Sequence, residues 1–101
     1  MREIDVNELE GLLAGGSISL IDVRGVDEWQ TGHVPGAELI VMSTIPGRVQ
    51  DLPHGEEIFI ICESGGRSFQ VATWLEGQGF QAVNIAGGTG AWRDSGKPLA
   101  F

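Results

Sequence analysis

The only thiol of the chain stands where its neighbours could make it reactive. Cys62 directly follows the apolar run 58–61, and it precedes two glycines and an arginine that open a stretch of helical character. A glycine-containing turn between a buried strand and a helix directs several backbone N–H groups to one point, where the helix start adds its partial positive charge. A thiol in that position ionises readily, and the thiolate is the reactive form. The sequence therefore predicts an enzyme with Cys62 as its nucleophile.

The other positions of the active-site loop, residues 62–68, carry groups that suit a charged sulfur. The glycines allow backbone angles that other residues avoid, so the loop can curl until its amides converge. The serine hydroxyls can donate hydrogen bonds, and the arginine adds a permanent positive charge that could stabilise a thiolate or hold the loop closed. An inert buried cysteine is the alternative, but this constellation favours the nucleophile. The predicted substrate-binding residues are Glu63, Ser64, Gly65, Gly66, Arg67 and Ser68.

Strands and helices alternate along the chain and put this loop at the end of a strand. Apolar and β-branched runs predict strands over 19–23, 39–41, 58–61 and 82–85. Helical spacing predicts a helix that begins at Asp5 and ends at Gly15, a brief helix over 26–30, a helix over 68–76 and a short one around Trp92. Residues 43–52 fit neither pattern. Alternation over short connections indicates an α/β domain with a mainly parallel sheet, in which ligands bind beyond the carboxyl ends of strands.

Length, charge and cysteine content restrict the class of protein. The 101 residues fit one compact domain, so residues 1–101 are predicted to form a single domain. Fourteen acidic against six basic residues give a net charge of −8, which makes nucleic acid and anionic membranes poor partners. A lone cysteine can form neither an internal disulfide nor a multi-cysteine zinc site. With no secretory leader pattern and no membrane-length apolar run, we expect a cytoplasmic protein.

Three ordered motifs resemble those of the rhodanese family of sulfurtransferases, and the resemblance runs over nearly the whole chain. The first motif comprises residues 21–24, Glu28 and residues 32–37. The second is the loop 62–68, and the third is Gly87-Gly88 with Trp92. The resemblance implies a three-layer α/β fold with a five-stranded, mainly parallel sheet flanked by helices. It also implies that Cys62 accepts a sulfane sulfur, forms a persulfide and passes the sulfur to cyanide or a thiol. Asp22 and Arg24 are expected to form an ion pair at the surface that organises the rim of the site.

The expected partners follow from that chemistry. They are a small sulfane-sulfur donor and a thiol or cyanide acceptor, with a protein sulfur carrier as a further candidate. The reaction requires no metal and no organic cofactor, and the sequence indicates none. Glu63 is a departure, because some family members carry a basic residue there. Its carboxylate is expected to repel a dianion such as thiosulfate and to oppose thiolate formation, which favours a persulfide as donor.

Two other functions fit part of the pattern. Cysteine phosphatases and arsenate reductases also use a thiolate and an arginine around an anion-binding loop, but they characteristically separate the two by five residues, whereas four separate Cys62 from Arg67. The loop also has no aspartate to act as general acid. A non-catalytic rhodanese-like interaction module is the second alternative. Modules of that kind are thought to lack the cysteine, which this chain retains.

Overall fold

A five-stranded sheet, in which every pairing is parallel, forms the centre of the computed structural model, which describes residues 1–101. The strands are β1 (Arg2–Ile4), β2 (Ser19–Asp22), β3 (Glu38–Leu39), β4 (Glu57–Ile61) and β5 (Gln81–Ile85). Their spatial order is β1-β5-β4-β2-β3. The predicted five-stranded, parallel α/β fold is thereby confirmed.

Three α-helices and one 3₁₀ helix connect the strands, and a fourth α-helix follows the last strand. The α-helices are α1 (Val6–Ala14), α2 (Val26–Gln30), α3 (Gly66–Gly77) and α4 (Gly88–Asp94), and the 3₁₀ helix spans Met42–Asp51. Helix α1 begins as its sequence predicts, because the Asp5 carboxylate accepts a hydrogen bond from the Glu8 amide at 2.9 Å. None of these helices combines the length and the hydropathy that a membrane crossing requires.

The absence of polar residues over positions 58–61 of β4 follows from burial of this part of the strand on both faces. Ile58 and Ile60 pack with α3 and the 3₁₀ helix in one apolar cluster, whereas Phe59 and Ile61 pack with α1 and α4 in the other. A central parallel strand covered by helices on each side has no solvent-facing position, so alternation of polar residues is lost. The sheet is thus the middle of three layers.

Two parts of the chain differ from the sequence prediction. Strand β1 was not predicted, because it has only three residues and only Ile4 among them is buried. Pairing with the edge of β5, with Ile4 opposite Ile85, makes it a strand. The uninterpreted residues 43–52 fall almost wholly within the 3₁₀ helix, which contains Pro46. A helix interrupted by proline lacks the 3.6-residue period, so no sequence pattern reveals it.

The register of the sheet brings the functional segments to one edge. Asp22 at the end of β2 lies opposite Ile61 at the end of β4, and β5 flanks β4 on its other side. Because carboxyl ends of parallel strands share an edge, the segments that follow β2, β4 and β5 meet there. Cys62 is the first residue beyond β4.

Candidate active site

The sulfur of Cys62 accepts hydrogen bonds from two sides of the loop. The Gly65 amide donates to Sγ at 3.1 Å, and the Ser68 hydroxyl donates to it at 3.2 Å. Gly65 has a φ of +105°, in the left-handed region that favours glycine. This conformation reverses the chain just before α3 and turns the N–H of residue 65 back towards the sulfur. The predicted curled loop between strand and helix is therefore present.

Opposing effects act on the ionisation of this thiol. Cys62 is only 1% exposed, and burial raises the pKa of its thiol. Hydrogen bonds from the Ser68 hydroxyl and from the amides of Ser68, Gly65 and Ser64 outweigh burial, so the pKa lies below its ordinary value. These donors favour the anion because an N–H or O–H interacts more strongly with a charged sulfur than with a neutral one. The site can therefore supply a thiolate, which is the nucleophilic form.

Arg67 binds a carboxylate of another helix. Its two terminal nitrogens each donate to one oxygen of Glu28 at 2.8 Å, which joins α3 to α2. The hydrogen bonds from Arg67, partly offset by burial, lower the pKa of Glu28 to about 2. The hydrogen bond to Glu28 in turn raises the pKa of Arg67, and the negative charge of Cys62 adds to this rise. Arg67 is thus held by Glu28, a residue of the first motif, and lies within range of electrostatic interaction with Cys62.

The Asp22–Arg24 pair is buried, which differs from the surface pair that was expected. Both side chains have no exposed area. Arg24 donates to both carboxylate oxygens of Asp22 at 2.9 to 3.1 Å, to the Gly32 carbonyl at 2.9 Å and to Glu63 at 3.2 Å. A buried guanidinium destabilises the fold unless all its N–H groups are hydrogen-bonded. The hydrogen bonds of Arg24 join β2 to the active-site loop.

Glu63 does not present an uncompensated negative charge. Its carboxylate accepts hydrogen bonds from Arg93 of α4 at 2.9 Å and from Arg24 at 3.2 Å. The hydrogen bond from Arg93 lowers the pKa of Glu63, and the charges of both arginines act in the same direction. The carboxylate therefore stays ionised, and two guanidinium groups balance it. The expectation that it acts on substrates as a free anion has to be modified accordingly.

Main-chain contacts fix the loop to the start of α4. The Thr89 amide donates to the Cys62 carbonyl and the Gly90 amide donates to the Glu63 carbonyl, each at 2.8 Å. The approach requires glycine at position 88, since a Cβ atom there would lie 2.5 Å from the Cys62 carbonyl oxygen. The Gly87-Gly88 pair thus permits the close contact between α4 and the loop.

The structure brings the predicted residues together in three sets. Gly65 and Ser68 contact the sulfur, Ser64 acts on it through its amide, and Gly66 begins α3. Asp22, Arg24 and Glu63 form a connected chain of ion pairs. Arg67 interacts electrostatically with Cys62 but forms its hydrogen bonds with Glu28. The sequence analysis does not identify Arg93 as the partner of Glu63, because no local pattern indicates that α4 passes next to the loop.

Known proteins resemble this chain over nearly its whole length, both in sequence and in structure. A model of the rhodanese-like domain matches residues 5–95. A protein of Allochromatium vinosum named sulfurtransferase is 35% identical over 98% of this chain and 94% of its own length. A protein of Arabidopsis thaliana named thiosulfate sulfurtransferase 18 is 32% identical over 95% of this chain and 81% of its own. The crystal structure of a rhodanese-like domain protein from Staphylococcus aureus superposes with a TM-score of 0.90 at 38% identity, covering 100% and 98% of the two chains. The names of these relatives support rhodanese-type sulfur transfer as the general activity.

Removal of the Ser68 hydroxyl should raise the pKa of Cys62. Ser68→Ala deletes one donor to the sulfur and leaves burial unchanged, so we expect an upward shift of about one unit. The measurement is the rate of iodoacetamide alkylation as a function of pH. Thr73→Ala is the control, because its hydroxyl lies on the same helix but donates to the Phe69 carbonyl. An unchanged pKa in Ser68→Ala would contradict the assigned role.

Removal of the Asp22 carboxylate should destabilise the fold strongly. Asp22→Ala leaves the buried Arg24 with only part of its hydrogen bonds, and we expect the free energy of unfolding to fall by about 3 to 5 kcal/mol. Urea denaturation measures the loss. The control is Glu57→Ala, which breaks the exposed Arg2–Glu57 pair and should cost less than about 1 kcal/mol. If both variants lost the same free energy of unfolding, the buried pair would stabilise the fold no more than the exposed pair does.

Proposed function

The chain belongs to the rhodanese-like domain family, and on this basis we propose that it transfers a sulfane sulfur through a persulfide on Cys62. The observation that carries the proposal is the convergence of donors on the sulfur. The Gly65 amide and the Ser68 hydroxyl approach Sγ at 3.1 and 3.2 Å and lower the pKa of the thiol despite its burial. An anionic sulfur held by fixed hydrogen-bond donors suits attack on a sulfur–sulfur bond.

Two displacement steps account for the transfer. In the first, the Cys62 thiolate attacks the sulfane sulfur of the donor, a new S–S bond forms, and the donor's S–S bond breaks with release of sulfite or a thiolate. In the second, an acceptor thiolate or cyanide attacks the outer sulfur of the persulfide, and the electron pair of the broken bond returns to Cys62. Such covalent catalysis predicts ping-pong kinetics. The donors around Sγ stabilise the charge that returns to it.

The ionic groups of the site have separate parts in this proposal. Asp22 and Arg24 organise the rim from below, since Arg24 joins β2 to the loop through Glu63. Arg67 is part of the surface that the donor contacts, and its charge is largely neutralised by its ion pair with Glu28. Ser64 and Gly66 contribute to the loop surface against which the donor lies. The single cysteine, with no disulfide partner, fits a reducing compartment, and we propose that the reaction occurs in the cytoplasm.

A persulfide is proposed as the preferred donor over thiosulfate. Each guanidinium around the loop is already paired with a carboxylate, so none is free to receive a dianion. The pairs are Arg24 with Asp22, Arg67 with Glu28, and Arg93 with Glu63. The net charge of −8 adds a repulsive field. The acceptor is a thiol or cyanide, with a protein sulfur carrier as a further candidate.

Sulfur loading of Cys62 is the first test. We expect mass spectrometry to find one added sulfur atom on Cys62 after incubation with glutathione persulfide, because the thiolate forms a persulfide. Reduction with dithiothreitol should remove that atom. Cys62→Ser is the control and should gain none. Failure of the wild-type protein to gain sulfur from either glutathione persulfide or thiosulfate would contradict the proposal and favour a non-catalytic module.

Donor preference is the second test, and the name of the Arabidopsis relative makes thiosulfate the appropriate competitor. We expect kcat/KM for glutathione persulfide to exceed that for thiosulfate by about tenfold or more, which corresponds to about 1.4 kcal/mol of difference in transition-state binding. Glu63→Gln should improve thiosulfate use selectively, because it releases charge on Arg93. Comparable efficiency with the two donors in the wild-type protein would refute the preference.

A further inference from the structure

Asn84 lies beneath the active-site loop, on the strand next to the one that leads to the nucleophile. It is 1% exposed and lies opposite Ile60 in the register of β5 and β4. Its Nδ2 donates to the Gly65 carbonyl at 3.3 Å and to the Glu3 carboxylate at 2.7 Å. Its Oδ1 is buried and has no hydrogen-bond partner. A buried amide with half of its capacity unused is costly, and a purely apolar residue would pack here more cheaply.

The contact with Gly65 matters because of what that residue does. Its amide is one of the two donors that reach the Cys62 sulfur within 3.2 Å, and its φ of +105° belongs to a region that glycine enters and leaves freely. The Gly65 carbonyl is held from two directions, by the Phe69 amide of α3 at 3.1 Å and by Asn84 of β5. The helix contact alone leaves residue 65 free to move with the first turn of α3. The contact with Asn84 fixes it to the sheet.

We propose that Asn84 is a positioning residue for Cys62. By holding the Gly65 carbonyl against the sheet, it keeps the Gly65 N–H directed at the sulfur and so maintains the thiolate. The expected effect of Asn84 on turnover rests on the proposed sulfur transfer. Its expected effect on ionisation of the Cys62 thiol does not.

The effect of Asn84 passes through the backbone of residue 65. No hydrogen bond joins Asn84 to Cys62, and its only charged partner is Glu3, which comes from β1. The charged groups that surround the loop are Asp22, Arg24, Glu28, Glu63, Arg67 and Arg93. None of these six hydrogen-bonds Asn84. Substitution at position 84 therefore leaves the charges around the sulfur unchanged.

The test uses two variants and a readout that does not depend on sulfur transfer. Asn84→Leu keeps the approximate shape of the side chain without its donors, and Asn84→Ala removes the amide altogether. We expect both to raise the pKa of Cys62, measured by iodoacetamide alkylation against pH, by about half a unit to one unit. With glutathione persulfide, kcat/KM should fall roughly three- to tenfold at pH values below the wild-type pKa and should approach the wild-type value at pH values above the new pKa.

Val83→Ala is the matched control. It is the preceding residue of β5, and it packs in the apolar cluster on the opposite face of the sheet. It should reduce stability without changing the pKa of Cys62. Circular dichroism establishes that each variant is folded. Folded Asn84 variants with the wild-type pKa, or a loss of kcat/KM that is equal at every pH, would overturn the proposal.

The remaining outcomes separate this proposal from the proposed function. If neither Asn84 variant folds while Val83→Ala does, Asn84 serves the fold rather than the site, and the proposal is wrong. A shifted pKa in a protein that gains no sulfur would support the positioning role and refute sulfur transfer. Normal sulfur transfer with an unshifted pKa would refute the positioning role alone.

Discussion

The hydrogen bonds that converge on the Cys62 sulfur are the interaction on which the rest of the structure depends. The thiol of a residue that is 1% exposed would ordinarily hold its proton, because burial disfavours the anion. Only donors fixed within about 3 Å reverse that preference. Two of them are flexible by nature, a glycine amide and a serine hydroxyl, so their direction has to be imposed from outside. The surrounding contacts serve that requirement.

Three sets of contacts fix the direction of these hydrogen-bond donors. The amides of Thr89 and Gly90 bind the first two carbonyls of the loop, and Gly88 permits their approach. Asn84 and the first turn of α3 bind the carbonyl of Gly65. Ion pairs then join the loop to the neighbouring elements. The loop is thus attached to β5, α3 and α4 through its backbone, which keeps its amides directed inward.

The ion pairs also determine the electrostatic character of the site. The three arginines near the loop are each matched by a carboxylate, so they orient the loop and add little net charge to it. Burial of Arg24 and Asp22 makes their pairing obligatory, because either charge alone would be left uncompensated. The anionic sulfur consequently depends on directed hydrogen bonds for its stabilisation more than on free positive charge. This balance underlies the proposed preference for a persulfide donor over thiosulfate.

The sequence by itself determined the class of fold and predicted Cys62 as the nucleophile. The unbroken apolar run before Cys62 predicts a doubly covered strand, and the glycines after it predict a curled loop, since burial and backbone freedom are properties of neighbouring residues. Apart from the Asp22–Arg24 pair, the partners of the charged residues at the site were decided only by the tertiary structure. Arg67 and Glu28 are 39 residues apart, and Arg93 and Glu63 are 30 apart, so no local pattern relates them. Strand β1 and the contact of Asn84 with Gly65 likewise arise only when β5 lies beside its neighbours, because they depend on how distant segments meet at the sheet.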